Sequence, residues 1–234
     1  SMLAEDLKPN RLEAAKDVAA EFINGRPNDN IGITLFAGET FTQCPLTVDH
    51  AVLLDMIHNI KCGLITDGTA VGMGIANAVT RLKDSKAKSK VIILLTDGTN
   101  NKGDISPMTA AEIAKSFGIR VYTIGVGTNG MAPYPYPVGN TVQYVSMPVE
   151  IDEKTLTEIA GTTDGNYFRA TSNSKLKEVY EEIDKLEKTK LNVKEYSKRD
   201  EEYHWFALAA FLCVLLEVLL RNSVLKNCLL YTSP

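Results

Sequence analysis

Apolar residues recur along this chain at two spacings. Leu12, Ala15, Ala19, Phe22 and Ile23 follow helical intervals up to Gly25, which predicts an amphipathic helix. Asn30–Gly38 is a short apolar run closed by glycine and predicts a strand. Val48, Val52, Leu53, Met56, Ile57 and Ile60 predict a helix or helical turns between Thr47 and Ile60. Asp67-Gly-Thr69-Ala then leads into a helix through Val79 and Leu82, with Thr69 at its amino end, where threonine ordinarily serves as a cap. Val91 to Leu95 are five consecutive apolar residues that run into Thr96-Asp97-Gly98, the pattern of a strand covered on both faces. Beyond it the pattern predicts a helix over Pro107–Phe117, a buried strand over Arg120–Val126 and a short helix over Ile151–Ala160. A last strand over Gly165–Ala170 and a helix over Ser174–Leu191 follow.

Strands separated by helices imply parallel crossovers. The expected fold class is therefore α/β: a doubly wound, mainly parallel sheet with helices on both faces, its strands including Ile31–Phe36, Val91–Thr96, Val121–Val126 and Tyr167–Ala170. Ligands of such sheets lie outside the carboxyl ends of the strands, where Asp97 sits. A plain turn role for Asp97-Gly98 is the competing reading, since both residues are common turn formers.

The globular part closes near residue 191, giving a domain over 1–191. A charged linker over 192–202 holds Lys194, Lys198 and Arg199. Trp205 to Leu220 is apolar except for Glu217 and has no polar face, so 203–221 reads as a transmembrane helix rather than a buried one. Residues 222–234 form a tail that does not continue the pattern, and no function is assigned to it.

Composition narrows the function. A net charge of −4 over 234 residues does not suggest a nucleic-acid binder. The four cysteines have no CxxC spacing and read as ordinary buried thiols, with a Cys44–Cys62 bridge left open for an oxidising compartment. His50, His58 and His204 adjoin no nucleophile, which leaves a hydrolase without support. Gly125-Val-Gly127-Thr-Asn-Gly130 matches a dinucleotide fingerprint and follows a strand, the basis of a rival reading as a nucleotide-dependent enzyme. That fingerprint needs a helix to open at the glycines, and Pro133, Pro135 and Pro137 prevent one. Residues Pro133–Met147 read instead as a surface excursion or small hairpin, either a partner contact or a tolerated insertion.

From Ser1 to about Arg221 the chain resembles bacterial von Willebrand factor A domain proteins of the Bat aerotolerance group, in particular the BatA-like ones. The adhesion site of that family joins an Asp-x-Ser-x-Ser loop, a Thr from a second loop and an Asp from a third. Thr69 in Asp-Gly-Thr-Ala matches the second and Asp97 in Leu-Thr-Asp-Gly the third, while Ser1 matches the last Ser of the first loop. By this alignment the Asp and first Ser of that loop, and the central strand before them, are absent, as in an amino-terminally truncated fragment. The resemblance implies metal ligands Ser1, Thr69 and Asp97, a Mg²⁺ ion (or Mn²⁺ or Ca²⁺) held weakly by this chain, and a protein partner that supplies an acidic residue. It implies no enzymatic activity. It also implies an inner-membrane protein with its domain in the periplasm, whereas the basic residues before the span would by themselves place the domain in the cytoplasm. An empty anionic site is repulsive, so in a form with the first loop restored Asp97→Ala is expected to leave the fold almost unharmed.

Overall fold

The computed structural model describes residues 1–128, 130–138, 141–197 and 203–223. They fall into two compact units, Ser1–Thr189 and Lys190–Pro234.

In the first unit, helix α1 (Arg11–Asn24) starts where the Asn10 side chain accepts the Glu13 N–H, and it stops at Gly25. Strand β1 (Ile31–Phe36) turns back into β2 (Thr40–Thr47), and α2 (His50–His58) and α3 (Val71–Leu82) follow. Next come β3 (Lys90–Thr96), α4 (Pro107–Ser116) and β4 (Ile119–Val126). A ribbon of β5 (Met131–Val138) and β6 (Thr141–Pro148) precedes α5 (Glu153–Thr162), β7 (Tyr167–Ala170) and α6 (Asn173–Ser197).

The parallel sheet has the order β3-β4-β7, with Thr96 opposite Gly125 and Gly125 opposite Arg169 at its carboxyl edge. Strand β4 shows why a buried and largely apolar strand belongs at its centre. Ile119 and Val121 pack with Val71, Ile75, Ala111 and Ile159 on one face. Tyr122, Ile124 and Val126 pack with Leu7, Val18, Leu176 and Ile183 on the other. Burying each such aliphatic side chain stabilises the fold by about 1.5–3 kcal/mol, and both layers of helices are needed to do it. Glu187 of α6, also buried, accepts hydrogen bonds from Tyr122 Oη (2.6 Å), Ser89 Oγ (2.9 Å) and Arg120, and so pins that helix to the sheet.

Two expectations are corrected here. Ile31–Phe36 does not join the parallel sheet; it pairs antiparallel with β2, from Ile31 opposite Thr47 to Phe36 opposite Thr40. Strand β2 was not anticipated, because Pro45 interrupts its alternation and its polar residues resemble a loop. Of the cysteines expected to be buried thiols, Cys44 is one, but Cys62 and Cys213 are exposed; Cys44 and Cys62 are both free, so the bridge left open is not formed.

Strands β1 and β3 lie in separate sheets and leave a cleft of about 810 Å³ that is lined from both sides. Val91, Ile93 and Leu95 are consequently half-buried, whereas Ile92 and Leu94 are buried. The run at 91–95 is thus covered fully on one face and only partly on the other.

In the second unit, α6 continues to Ser197 and helix α7 spans Tyr203–Ser223. Phe206, Leu208, Phe211, Leu212, Val214 and Leu216 of α7 are exposed. Residues 198–202 of the expected linker and 224–234 of the tail lie outside the described residues. Among the described residues, no helix is long and apolar enough to cross a membrane.

Candidate metal centre

The parallel sheet ends at Thr96, and the next side chain, Asp97, is buried at its carboxyl edge with 6% exposure. Two groups hold its carboxylate. Ser1 Oγ donates to Oδ1 at 2.7 Å, and Arg11 Nη1 donates to Oδ2 at 3.0 Å. Arg11 itself is 2% exposed and sits in the first turn of α1. Its Nε and Nη2 each donate at 2.7 Å to the two oxygens of Asp6, a bidentate pair. Asp6 Oδ2 in turn accepts the Thr128 N–H at 2.8 Å and the Thr128 hydroxyl at 3.2 Å.

The glycine-rich loop therefore has a task other than binding a dinucleotide. Gly127 has φ +139°, and a Cβ there would come within 2.7 Å of Arg11 Nη2, so glycine is what lets the guanidinium lie against this turn. After Gly130 the chain enters β5 and not a helix, as the prolines require.

Thr69 reaches the same edge by a route that corrects its expected role. The cap position of α3 is occupied by Ala70, which makes no side-chain cap bond. The helix is capped from the loop after β3: Asn100 Oδ1 accepts the Val71 N–H at 2.9 Å, and Asn101 Oδ1 accepts the Thr69 N–H at 2.8 Å. The Asn101 N–H returns a bond to the Thr69 carbonyl at 3.0 Å. This clasp brings the threonine against Gly98, where a Cβ would lie 3.5 Å from Thr69 Oγ1. Among the described residues, that hydroxyl forms no hydrogen bond. Ser1, Thr69 and Asp97 all line the cleft between β1 and β3.

These three side chains present only oxygen donors, the kind a hard divalent cation takes. Asp6, Asp97 and Arg11 together leave one negative charge uncompensated, which also suits a cation. Asp97 is nevertheless the sole carboxylate of the set, and among the described residues no group of three His, Cys, Asp or Glu side chains could hold a metal. The residues fit such an ion in kind and supply little charge to bind it, in keeping with weak affinity.

Sequence reading missed Asp6, Arg11, Asn100, Asn101 and Thr128. The two asparagines carried a usable signal, since Asn is a favoured acceptor for the free N–H groups at a helix start. Asp6 and Arg11 are only five residues apart, but what joins that pair to the site, Arg11 to Asp97 and Thr128 to Asp6, spans 86 and 122 positions and leaves no local signal.

The network makes a prediction about acid. Burial pushes the Asp6 carboxyl up, but the hydrogen bonds from Arg11 and Thr128 and the Arg11 charge outweigh it and bring its pKa down to about 2. A carboxyl depressed in the folded state contributes stability above its unfolded value, and loses it as pH falls toward the folded one. Unfolding midpoints in urea should therefore drop between about pH 4 and pH 2, and Asp6→Asn should flatten that drop.

Residues 1–182 match the model of the von Willebrand factor type A domain. The crystal structure of the conserved hypothetical protein BatB from Bacteroides thetaiotaomicron is 35% identical, with a TM-score of 0.70 over 80% of this chain and 94% of that one. An aerotolerance-related membrane protein from Bacteroides fragilis NCTC 9343 is 34% identical, with a TM-score of 0.67 over 79% of this chain and 94% of that one. Proximal thread matrix protein 1 of the mussel byssus, solved with a zinc-occupied MIDAS motif, shares the fold at 24% identity and a TM-score of 0.59, covering 79% of this chain and 43% of its own. The chain spans 65%, 57% and 59% of the length of three curated relatives that it matches.

Proposed function

Because the chain belongs to the von Willebrand factor type A domain family and is Bat-like within it, we propose that it is a membrane-anchored interaction module that grips a carboxylate of a partner protein through a divalent cation. Domains of this family are generally interaction modules and not enzymes. The observation that carries the reading is the convergence of Ser1, Thr69 and Asp97 on one end of the cleft, from three parts of the sequence. A Mg²⁺ ion, or Mn²⁺ or Ca²⁺ in its place, would be held there by the two hydroxyls and the Asp97 carboxylate. When bound it supplies an open coordination position for the partner's acidic side chain. Arg11 keeps Asp97 in place, and the clasp of Asn100 and Asn101 positions Thr69. The setting proposed is an envelope complex serving aerotolerance or a related stress, with the domain on the periplasmic side of the inner membrane.

The same reading gives the cleft an occupant. The apolar side chains facing each other across it, with β1 and β3 in separate sheets, support a further strand between them that ends in the Asp and first Ser of the family loop. A form extended at its amino end by such a strand should bind the cation more tightly than this chain.

A nucleotide-dependent enzyme has less support. The Gly125–Gly130 loop is engaged with Asp6 and Arg11, and no helix opens at it to receive a pyrophosphate.

Capture from solubilised membranes tests the proposal. The extended form should retain an acidic partner in Mg²⁺ and release it in chelator, and capture unaffected by chelator would overturn the reading. The anchor is tested separately. The run at 205–220, apolar except for Glu217, and the exposed side chains of Phe206 to Val218 support a span at 203–221. Deleting Trp205–Pro234 should move the protein from the detergent-requiring fraction to the soluble one. If the shortened chain still fractionates with membranes, the anchor lies elsewhere.

A further inference from the structure

Residues Met131–Pro148 contain no charged side chain, in a protein whose composition is 23% charged. They build the β5–β6 ribbon, and every residue of β6 is exposed, including Val142 (57%), Tyr144 (60%), Val145 (48%) and Met147 (48%). The two edges of this ribbon differ. Pro133, Pro135 and Pro137 stand opposite Ser146, Tyr144 and Val142. A proline cannot donate to a ladder, so the bonded pairs must be the intervening ones, Ala132 with Met147, Tyr134 with Val145 and Tyr136 with Gln143. The Pro133 carbonyl confirms this direction, since it points away from β6 and accepts the Glu5 N–H at 2.9 Å.

The outer edge of β5 thus lacks donors at three alternate positions and is partly covered by the segment at Glu5. The outer edge of β6 carries the N–H and C=O groups of Val142, Tyr144 and Ser146, which make no bond to another element among the described residues. One edge is closed and the other is open, which makes the open one a template for strand addition.

We propose that the open edge of β6 pairs with the β6 of a second copy of this chain, antiparallel, about a two-fold axis at Tyr144. The register is self-consistent. Tyr144 meets its own counterpart, and Val142 meets Ser146 of the other copy in both directions, so all three outward residues of each strand are bonded. The strand has no charge to set against a copy of itself. A charged partner strand would gain no complementary charge here. An anionic membrane surface would find no Lys or Arg. One strand pair buries less than the roughly 1,200 Å² of a standard interface, so the association is weak and concentration-dependent. It does not depend on the cation site.

Sedimentation of the full chain, dispersed in mild non-ionic detergent, tests this. The wild type should pass from monomer to dimer between about 1 μM and about 1 mM. Tyr144→Phe, which removes only the hydroxyl that donates to Glu5 Oε1 at 3.2 Å, should behave as wild type. Tyr144→Lys and Tyr144→Glu place like charges opposite one another and should each weaken dimerisation about tenfold or more. An equimolar mixture of the two should associate again, an outcome that a folding defect cannot produce. Tyr144→Pro should also abolish pairing, because it removes the central outward donor as Pro135 does on the facing strand. A wild type that stays monomeric throughout overturns the proposal. So does association that none of these variants alters, and so does binding of monomers to lipid vesicles without self-pairing.

Discussion

Arg11→Met should cost the fold about 3–5 kcal/mol, the usual penalty for removing one partner of a buried ion pair. Methionine fills much of the same volume, so the loss is electrostatic. Asp6 would forfeit both bonds of its bidentate pair, and Asp97 the bond to Oδ2. Two buried carboxylates would then face each other with no guanidinium between them. Arg11→Lys should fall between, because one ammonium cannot span both groups in a fixed fork. Urea denaturation at neutral pH measures the deficit. It should shrink on acidification: without Arg11 the Asp6 carboxyl is no longer held near 2, so the variant takes up its protons at higher pH and loses less as acid is added. A deficit that stayed constant down to pH 3 would mean that Arg11 acts by packing alone. Added Mg²⁺ should recover part of the loss, since a cation in the site replaces part of the missing charge.

Asp97→Ala should abolish cation-dependent capture of the partner, because the site then keeps hydroxyls and no carboxylate. In this chain its effect on stability is larger than the near-neutral one expected of a form with the first loop restored. Asp97 is not an isolated anion whose removal relieves repulsion; it accepts from Arg11 and Ser1 in a buried setting. Its removal leaves a buried guanidinium donor without an acceptor, at a cost of about 1–3 kcal/mol. Thr69→Ala should weaken capture with almost no loss of stability, since α3 is capped by Asn100 and not by this threonine. Asn100→Ala should show the complementary result, losing about 1 kcal/mol of stability. Capture by Asp97→Ala that equals wild type in Mg²⁺ would refute the cation reading and direct attention to another surface.

Much of the fold was legible along the chain. The apolar run at 91–95 and the largely apolar one at 121–126 marked strands that pair in parallel, because apolar side chains pointing to both faces of a strand need cover on both. Gly25 bounded α1 where the periodicity stopped. Pro133, Pro135 and Pro137 turned a literal dinucleotide match into a ribbon. Asp97 was singled out because strand ends are where these sheets place ligands, and Thr69 and Ser1 because they resemble a family motif.

The sequence by itself determined which face of most helices and strands turns inward, where most elements begin and end, and that Asp97 stands at a carboxyl edge, since each of these follows from local periodicity and from residues with one dominant conformational preference. Only the tertiary structure decided what those residues meet. Ile31–Phe36 pairs with Thr40–Thr47 and leaves a cleft beside Val91–Leu95, because edge pairing depends on which strand lies near and not on the strand's own pattern. Asp97 is tied to Arg11 across 86 positions, and Thr128 to Asp6 across 122. Periodicity records which side of an element faces the core, but it says nothing about which charge arrives there from another element. Such pairings appear only once the chain has closed on itself.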